Sequence, residues 1–178
     1  MGFLLLLIVA AILFAAVYGL GMLLPARYEV ERSVELEAPP NFIWRIVTDH
    51  AKETEWRNGV HSVEKQHSQD RKPLWKETRY DMRTPLFLKT VVSEPPHKLV
   101  REIVDNTLMS GSYQIEIAAA GEEKSKVTMR QEAELHKPFQ RIKMYLFGSK
   151  AAEVERYLSD LKQRVLVMKA MEEDEEGD

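Results

Sequence analysis

The chain opens with an unbroken apolar run. Residues 3–24 carry no charged side chain, and Tyr18 alone offers a polar group. As a helix the run spans about 33 Å, enough to cross the hydrocarbon core of a bilayer. Signal peptides have a basic start and a shorter apolar run. The pattern therefore predicts a retained transmembrane anchor over residues 1–25, and the alternative is a cleaved signal peptide, suggested by the small residues Gly19 and Gly21.

Alternating apolar and polar positions follow the anchor. Residues 28–36 alternate with a period of two, which predicts a half-buried strand. After the break at Pro39 and Pro40, residues 41–49 have helical spacing, and residues 50–58 predict a second short helix. Six further strands are predicted between turn-forming residues, at 60–66, 74–82, 86–92, 98–104, 110–118 and 126–136. The short connections favour an antiparallel meander.

The last part of the chain has the spacing of a long amphipathic helix. Pro138 suits a first helical position, and apolar residues then recur every three or four positions to about residue 170. This stripe needs an apolar partner, and the sheet is the one element large enough. We therefore predict an α+β helix-grip fold over residues 26–170, in which a curved antiparallel seven-stranded sheet packs on a long C-terminal helix. The acidic run at 171–178 predicts a disordered tail.

Composition narrows the classes of function. The 178-residue chain is 44% hydrophobic and 30% charged with a net charge of -3, which excludes a disordered chain and offers no basic field for nucleic acid. Cysteine is absent, and the five histidines show no metal-ligand spacing. Glycine-rich phosphate loops and nucleophile elbows are absent as well. We expect no metal, no cofactor and no self-sufficient catalyst.

The order of elements and three local patterns carry a family resemblance. The patterns are the strand, Ala-Pro step and helix at residues 34–49, the segment from Trp56 to Glu64, and the acidic, double-proline turn at residues 94–100. Over residues 28–168 the chain resembles the START-like helix-grip (SRPBCC) superfamily, in particular its bacterial polyketide cyclase/dehydrase and lipid-transport branch. The resemblance implies binding of a hydrophobic or amphipathic small molecule between the sheet and the long helix. Catalytic groups vary within the superfamily, so it implies no catalytic set.

The anchor and the resemblance together predict the location of the protein. Arg27 and Arg32 follow the apolar run, and basic residues favour the cytoplasmic side of a span. We expect a single-pass protein of a bacterial inner membrane, with its domain on the cytoplasmic side. The expected partners are membrane lipid and a hydrophobic small molecule, without nucleic acid.

The candidate ligand cavity is predicted from aromatic residues, methionines and small residues that we expect to face the space under the long helix. Gly148 lowers helix stability by about 1 kcal/mol relative to Ala, so it indicates close packing, a simple kink or a cavity wall. Gln131 lies on the apolar face of its strand, where its amide needs a partner in the core or in a ligand. Ordinary core packing is the alternative for most of the set. The predicted lining is Trp56, Trp75, Tyr80, Tyr113, Met129, Gln131, Met144, Tyr145 and Gly148.

Charged residues leave two further possibilities open. Glu77 and Arg79 form either an internal pair or part of a solvated face. The basic residues Lys137, Arg141, Lys143 and Lys150 either contact anionic lipid headgroups or face water.

Three functions remain open from sequence. The leading hypothesis is a membrane-anchored module that binds a hydrophobic molecule such as a lipid, an isoprenoid or a polyketide-like compound. A cyclase or dehydratase is the second, favoured if Arg79, Tyr113 and Gln131 converge inside one cavity with a carboxylate. A structural or regulatory membrane protein is the third, favoured if the hollow under the helix is filled.

Overall fold

The N-terminal apolar run forms one helix, α1, spanning Gly2–Leu23. The computed structural model describes residues 2–176. Nearly all of the α1 side chains are exposed, and Gly21 is the one buried residue of the helix. Its length and composition suffice to span a membrane.

Seven strands form one antiparallel sheet in the order β1-β7-β6-β5-β4-β3-β2. Strands β2 to β7 follow one another as a meander, and β1 pairs with β7 at the far edge. The predicted sheet is confirmed, although β3 ends earlier and β6 runs longer than the pattern indicated. The strands are β1 Arg27–Leu36, β2 Val60–Gln66, β3 Leu74–Arg79, β4 Leu86–Glu94, β5 Lys98–Val104, β6 Met109–Gly121 and β7 Lys124–Leu135.

Three short helical segments connect β1 to β2. They are α2 at Pro40–Thr48, a 3-10 turn at His50–Lys52 and α3 at Glu53–Trp56. The apolar side of α2 is buried because Phe42, Ile43, Ile46 and Val47 recur at helical spacing. The hydrogen bond from the Arg57 amide to the Glu53 carbonyl closes α3.

The prediction of one unbroken C-terminal helix is wrong. The structure has two helices, α4 at Pro138–Phe147 and α5 at Ala152–Glu176. Gly148 has an extended backbone, and a Cβ atom at this position would lie 2.8 Å from the Met144 carbonyl oxygen. The chain therefore leaves the helix at a position where only glycine avoids that contact.

The two helices have different partners. The long helix α5 packs on the sheet and on α3 through a buried stripe that includes Val154, Leu158, Leu161 and Val165, so the helix-grip arrangement is confirmed. The short helix α4 packs mainly against α1, with a smaller contact to the end of β7. Helix α5 extends to Glu176, into the segment for which the charge pattern predicted a disordered tail, and residues 177 and 178 lie outside the described residues.

Candidate functional site

The hollow between α5 and the sheet is almost filled. Its free volume is about 20 Å³, enough for one water molecule, whereas small-molecule sites usually measure about 300–1,000 Å³. The expected open cavity is therefore absent in this conformation of the described residues. The lining combines apolar side chains with Arg57, Glu77, Arg101, Tyr113 and Tyr157.

A network of buried ion pairs borders this hollow. Its first part centres on Glu53, whose carboxylate is 1% exposed. One carboxylate oxygen, Oε1, accepts a hydrogen bond of 2.7 Å from Arg101 Nη1 and lies 2.7 Å from His50 Nδ1. The other, Oε2, pairs with Arg57. Helix α3 and strand β5 are thus joined through one carboxylate.

The second part of the network links β3 to the start of α5. Arg57 Nη1 donates to Glu77 Oε2 at 2.7 Å, and Glu77 Oε1 lies 3.6 Å from Arg79 Nη1. Arg79 also pairs with Glu153, the second residue of α5. The N-terminal end of α5 is therefore attached to the sheet by an ion pair.

A chain of polar groups continues from Glu153 across the sheet. The Tyr113 hydroxyl donates to Glu153 Oε1 at 3.3 Å, and Gln131 Nε2 donates to the Tyr113 hydroxyl at 3.4 Å. Arg79 and Tyr113 therefore contact one carboxylate and Gln131 reaches it through the Tyr113 hydroxyl, but these groups do not share an open cavity as the enzyme hypothesis required. Glu77 and Arg79 form the internal pair rather than a solvated face, since their side chains are 1% and 5% exposed.

Burial and the surrounding charges shift the ionisation of these groups. Burial by itself raises the pKa of Glu53, but Arg101, Arg57 and the His50 hydrogen bond outweigh it and hold that pKa well below its usual value. Burial, together with the charge of Arg101, lowers the pKa of His50. Burial and the Glu153 carboxylate raise the pKa of Tyr113. At neutral pH His50 and Tyr113 are therefore uncharged.

The network is balanced in charge and incompletely hydrogen-bonded. Three carboxylates, at Glu53, Glu77 and Glu153, face three guanidinium groups, at Arg57, Arg79 and Arg101. Within residues 2–176, Arg101 Nε and Nη2 and Gln131 Oε1 have no hydrogen-bond partner. Unpaired buried polar atoms cost about 1–3 kcal/mol each. Such groups call for a partner such as water or a ligand.

The structure brings together only part of the predicted lining. Tyr113 and Met129 line the hollow, and Gln131 is buried next to Tyr113. Trp56 packs edge-on against Tyr157 but lines a separate depression of about 220 Å³, together with residues of α2 and α5, rather than the hollow. Trp75 packs against His50 in a separate groove of about 320 Å³ beside the end of α2.

The remaining predicted lining residues lie outside the hollow. Tyr80 is 76% exposed and follows the end of β3. Tyr145 and Gly148 are exposed, and Met144 is half-buried, because the break after α4 directs this helix to α1 rather than to the sheet.

Sequence reasoning missed Glu53, Arg57 and Arg101. Arg101 has a readable signal, since it stands between Leu99 and Ile103 on the apolar face of β5, as Gln131 does on β7. Glu53 and Arg57 lie in a segment rich in charged residues, and no local pattern distinguishes them from its exposed members.

Larger depressions lie elsewhere on the molecule. One of about 470 Å³ crosses β1, β6 and β7, and charged side chains such as Arg27, Glu29 and Glu134 line it. Across residues 2–176, no three His, Asp or Glu side chains are grouped as metal ligands. The buried network is therefore the candidate functional site.

The fold and the buried polar hollow define a START-like helix-grip protein. The chain also matches a family model over residues 27–165, and its description is polyketide cyclase / dehydrase and lipid transport. The chain belongs to this family. The resemblance inferred from sequence is confirmed, and the family suggests a hydrophobic small-molecule ligand. No curated protein matches the chain.

Solved structures support the fold. The Zhui aromatase/cyclase from Streptomyces sp. R1128 superposes with a TM-score of 0.66 at 10% identity, covering 78% of this chain and 93% of that one. A START superfamily protein from Mycobacterium smegmatis gives 0.61 at 15% identity, with 79% and 98% covered. Norcoclaurine synthase from Thalictrum flavum gives 0.62 at 12% identity, with 79% and 87% covered. At these identities the likeness concerns the fold alone.

Proposed function

We propose that this protein is a membrane-anchored module that binds a hydrophobic or amphipathic small molecule between the sheet and α5. One observation carries the proposal: a buried, charge-balanced network with unpaired hydrogen-bonding groups borders the hollow in which this family is expected to hold a ligand. A purely structural core gains little from such groups, because apolar residues of similar volume are often as stabilising as a buried ion pair.

The polar groups suit the head of an amphipathic ligand, and the apolar lining suits its body. Arg101 has two unused donors, which match a carbonyl, carboxylate or phosphate oxygen. Leu88, Leu99, Ile115 and Met129 supply the apolar part of the lining. We therefore propose a lipid, isoprenoid or polyketide-like molecule with an oxygen-rich head.

Binding requires the hollow to widen, because its present volume admits one water molecule. Glu153 holds the start of α5 to Arg79, and α4 before it packs mainly on α1, with a smaller contact to β7. The N-terminal end of α5 is otherwise held to the sheet by the Tyr113–Glu153 hydrogen bond, the Arg32–Glu155 ion pair and the buried Val154, and opening requires these contacts to break. Outward movement of that end would open the hollow without unfolding the rest of the helix.

The membrane side is part of this proposal. The span α1 leads directly into Arg27 and β1, and the two arginines after it favour the cytoplasmic side of a bacterial inner membrane. The ligand would then be drawn from, or delivered to, that membrane.

A test combines native mass spectrometry of the full chain with binding of a dansyl-labelled fatty acid in nanodiscs. We expect a co-purifying small molecule and saturable probe binding. Ile115→Phe places a larger side chain in the hollow and reduces its free volume, so it should weaken probe binding about tenfold. Ile103→Phe is the matched control, since Ile103 is buried on the neighbouring strand but does not line the hollow, and overpacking lowers stability similarly at both sites. An empty wild-type protein that rejects the probe would show a filled, structural core.

A second candidate function is catalysis of the cyclase or dehydratase type. The contacts of Arg79 and Tyr113 with Glu153 favour it, because a carboxylate paired with a neutral and a cationic donor can move protons, and Gln131 orients the Tyr113 hydroxyl. Glu153→Gln should then retain the ligand but purify with substrate, whereas the wild type purifies with product, which is one water lighter after dehydration and an isomer of different chromatographic retention after ring closure alone. Glu155→Gln, whose carboxylate is 55% exposed, is the control. Ligands of identical mass and identical retention in all three proteins would exclude catalysis through Glu153.

A further inference from the structure

Helix α4 packs closely along the C-terminal half of α1. A Cβ atom at Gly21 would lie 2.7 Å from the Pro138 carbonyl oxygen, so the two backbones almost touch there. The Phe139 ring is tilted against Phe14 and edge-on to Tyr18, with ring centroids 5.5 and 6.0 Å apart. The contact therefore occupies α1 at least from Phe14 to Gly21.

This contact determines where α4 lies relative to a membrane. If α4 remained in water, α1 could leave the bilayer no later than Phe14, and the 12 residues 2–13 would be left in lipid. As a helix, 12 residues span about 18 Å, whereas the hydrocarbon core measures about 30 Å. For α1 to cross the bilayer, the segment that contacts Phe139 must lie in lipid too.

The surface of α4 is consistent with lipid contact. Leu146 and Phe147 are 67% and 84% exposed at its C-terminal end, next to the half-exposed Tyr145. Residues 137–151 contain four basic side chains and no acidic one, although the whole chain is acidic. Lys150 lies 4.7 Å from the centre of the Tyr145 ring. Aromatic and basic side chains together are typical of the lipid headgroup region.

We propose that α4 and the turn after it form a second membrane-contacting segment, in which Tyr145, Leu146 and Phe147 insert into the leaflet on the domain side and the lysines bind anionic headgroups. This inference rests on the membrane anchoring proposed above and extends it. In this arrangement residues 148–151, between α4 and α5, form a turn at the surface of the bilayer. Glu153, which attaches α5 to the sheet, follows that turn directly.

The turn itself does not line the hollow, but it is joined to the start of α5, where Glu153 contacts Arg79 and Tyr113. Movement of α4 within the leaflet would be transmitted through four residues to the start of α5. A hydrophobic ligand could then pass between the bilayer and the hollow without crossing water.

Fluorescence of single-cysteine variants tests the insertion, because the native chain has no cysteine. The full chain is labelled with the polarity-sensitive dye NBD at F147C or L146C and reconstituted in vesicles containing phosphatidylglycerol. We expect blue-shifted emission that is quenched by lipids carrying a nitroxide on the acyl chain. L6C on α1 is the membrane control, and V167C on α5, 52% exposed in the wild type, is the water control.

The outcomes separate this inference from the proposed function. Quenching at L6C but not at F147C or L146C would overturn the insertion of α4 and leave the anchor intact. Absence of quenching at L6C would overturn the anchor and, with it, this inference. Blue-shifted but unquenched F147C would also overturn it, since the tip would then be covered by protein rather than lipid.

A pair of glycine variants tests the role of α1 in placing α4. Gly21→Val should displace Pro138 and reduce quenching of the F147C label at least twofold. Gly19→Val is the matched control, because a Cβ atom at Gly19 meets nothing within 4 Å, and it should leave quenching unchanged. Unchanged quenching in Gly21→Val would show that α4 reaches the membrane independently of this contact, and an equal loss in both variants would show a general effect on α1; either result would overturn the role assigned to the Gly21 contact.

Discussion

Ionisable residues beside the hollow make the stability of this protein depend on pH. His50 is 5% exposed and contacts Glu53, and its pKa is lowered by burial and by Arg101. A group whose pKa is lower in the folded state contributes stability above its unfolded pKa, and that contribution is lost as the pH falls toward its folded pKa. For His50 the loss begins below about pH 6.5, the usual value for histidine.

We therefore expect the free energy of unfolding to fall between about pH 7 and pH 5.5, by at most about 1.4 kcal/mol per pH unit from this one proton. His50→Gln should flatten this slope, since glutamine can still donate to Glu53 but does not titrate. Urea unfolding in detergent at several pH values measures the slope of the free energy of unfolding against pH. His61→Gln, at an exposed site on β2, should keep the slope. An unchanged slope in His50→Gln would contradict the assignment.

Glu53 contributes a second loss of stability below about pH 4.5, because its own pKa is lowered by its arginine partners.

Residue types alone indicated only half of this site. Gln131 could be recognised because a polar residue interrupts an apolar strand face, and Arg101 carries the same signal on β5. Burial of Glu53 and Arg57 depends on α3 folding back over β3 and β5, which no local pattern encodes. Their hydrogen-bond partners are far away in sequence: Glu77 is 20 positions from Arg57, and Arg101 is 48 positions from Glu53.

At the scale of elements, the pairing of β6 with β7 includes one position that requires glycine. Gly111 has a φ of +152° and lies opposite Ala133. A Cβ atom there would overlap the Glu132 carbonyl oxygen and lie 2.9 Å from Ala133 Cα. The two strands can approach only because this residue has no side chain.

Gly111→Ala should therefore destabilise the domain by about 1–3 kcal/mol, the usual cost of backbone strain, plus the cost of separating the strands. Thermal unfolding followed by circular dichroism measures the change. Gly121→Ala is a matched control, since Gly121 has a similar φ of +158° but its nearest neighbour would be 3.6 Å away. Equal destabilisation by the two variants would show that φ rather than strand contact is the cause.

Helix boundaries also depended on contacts that the sequence pattern does not contain. Apolar spacing continues through residues 138–170, and this predicted a single helix. The structure assigns the two halves of that stripe to different partners, α1 and the sheet. A periodic pattern shows that a helix has an apolar face, but it does not show which surface covers that face.

Over the whole molecule, stability should be unevenly distributed. Residues 148–153 are exposed or half-buried and Val154 is the first buried residue of α5, whereas the middle of the helix buries Leu158, Leu161 and Val165. Regions with few buried apolar contacts open at lower free energy.

Hydrogen exchange in nanodiscs should therefore be faster for residues 148–156 than for residues 158–166. Glu153→Gln should increase exchange further in the first segment and leave the second unchanged, and Glu155→Gln should alter neither. Uniform protection along α5 would contradict the proposed opening of the hollow.

The sequence by itself determined the apolar span, the seven strands, the amphipathic C-terminal region and the family, because each depends on local periodicity and order along the chain. The tertiary structure alone decided that α4 joins α1, that the hollow is nearly filled, and that six distant charges form one buried network. These features depend on the free energy of packing between elements far apart in sequence. A hydrophobic stripe or a charge is visible in sequence, but its partner exists only in the fold.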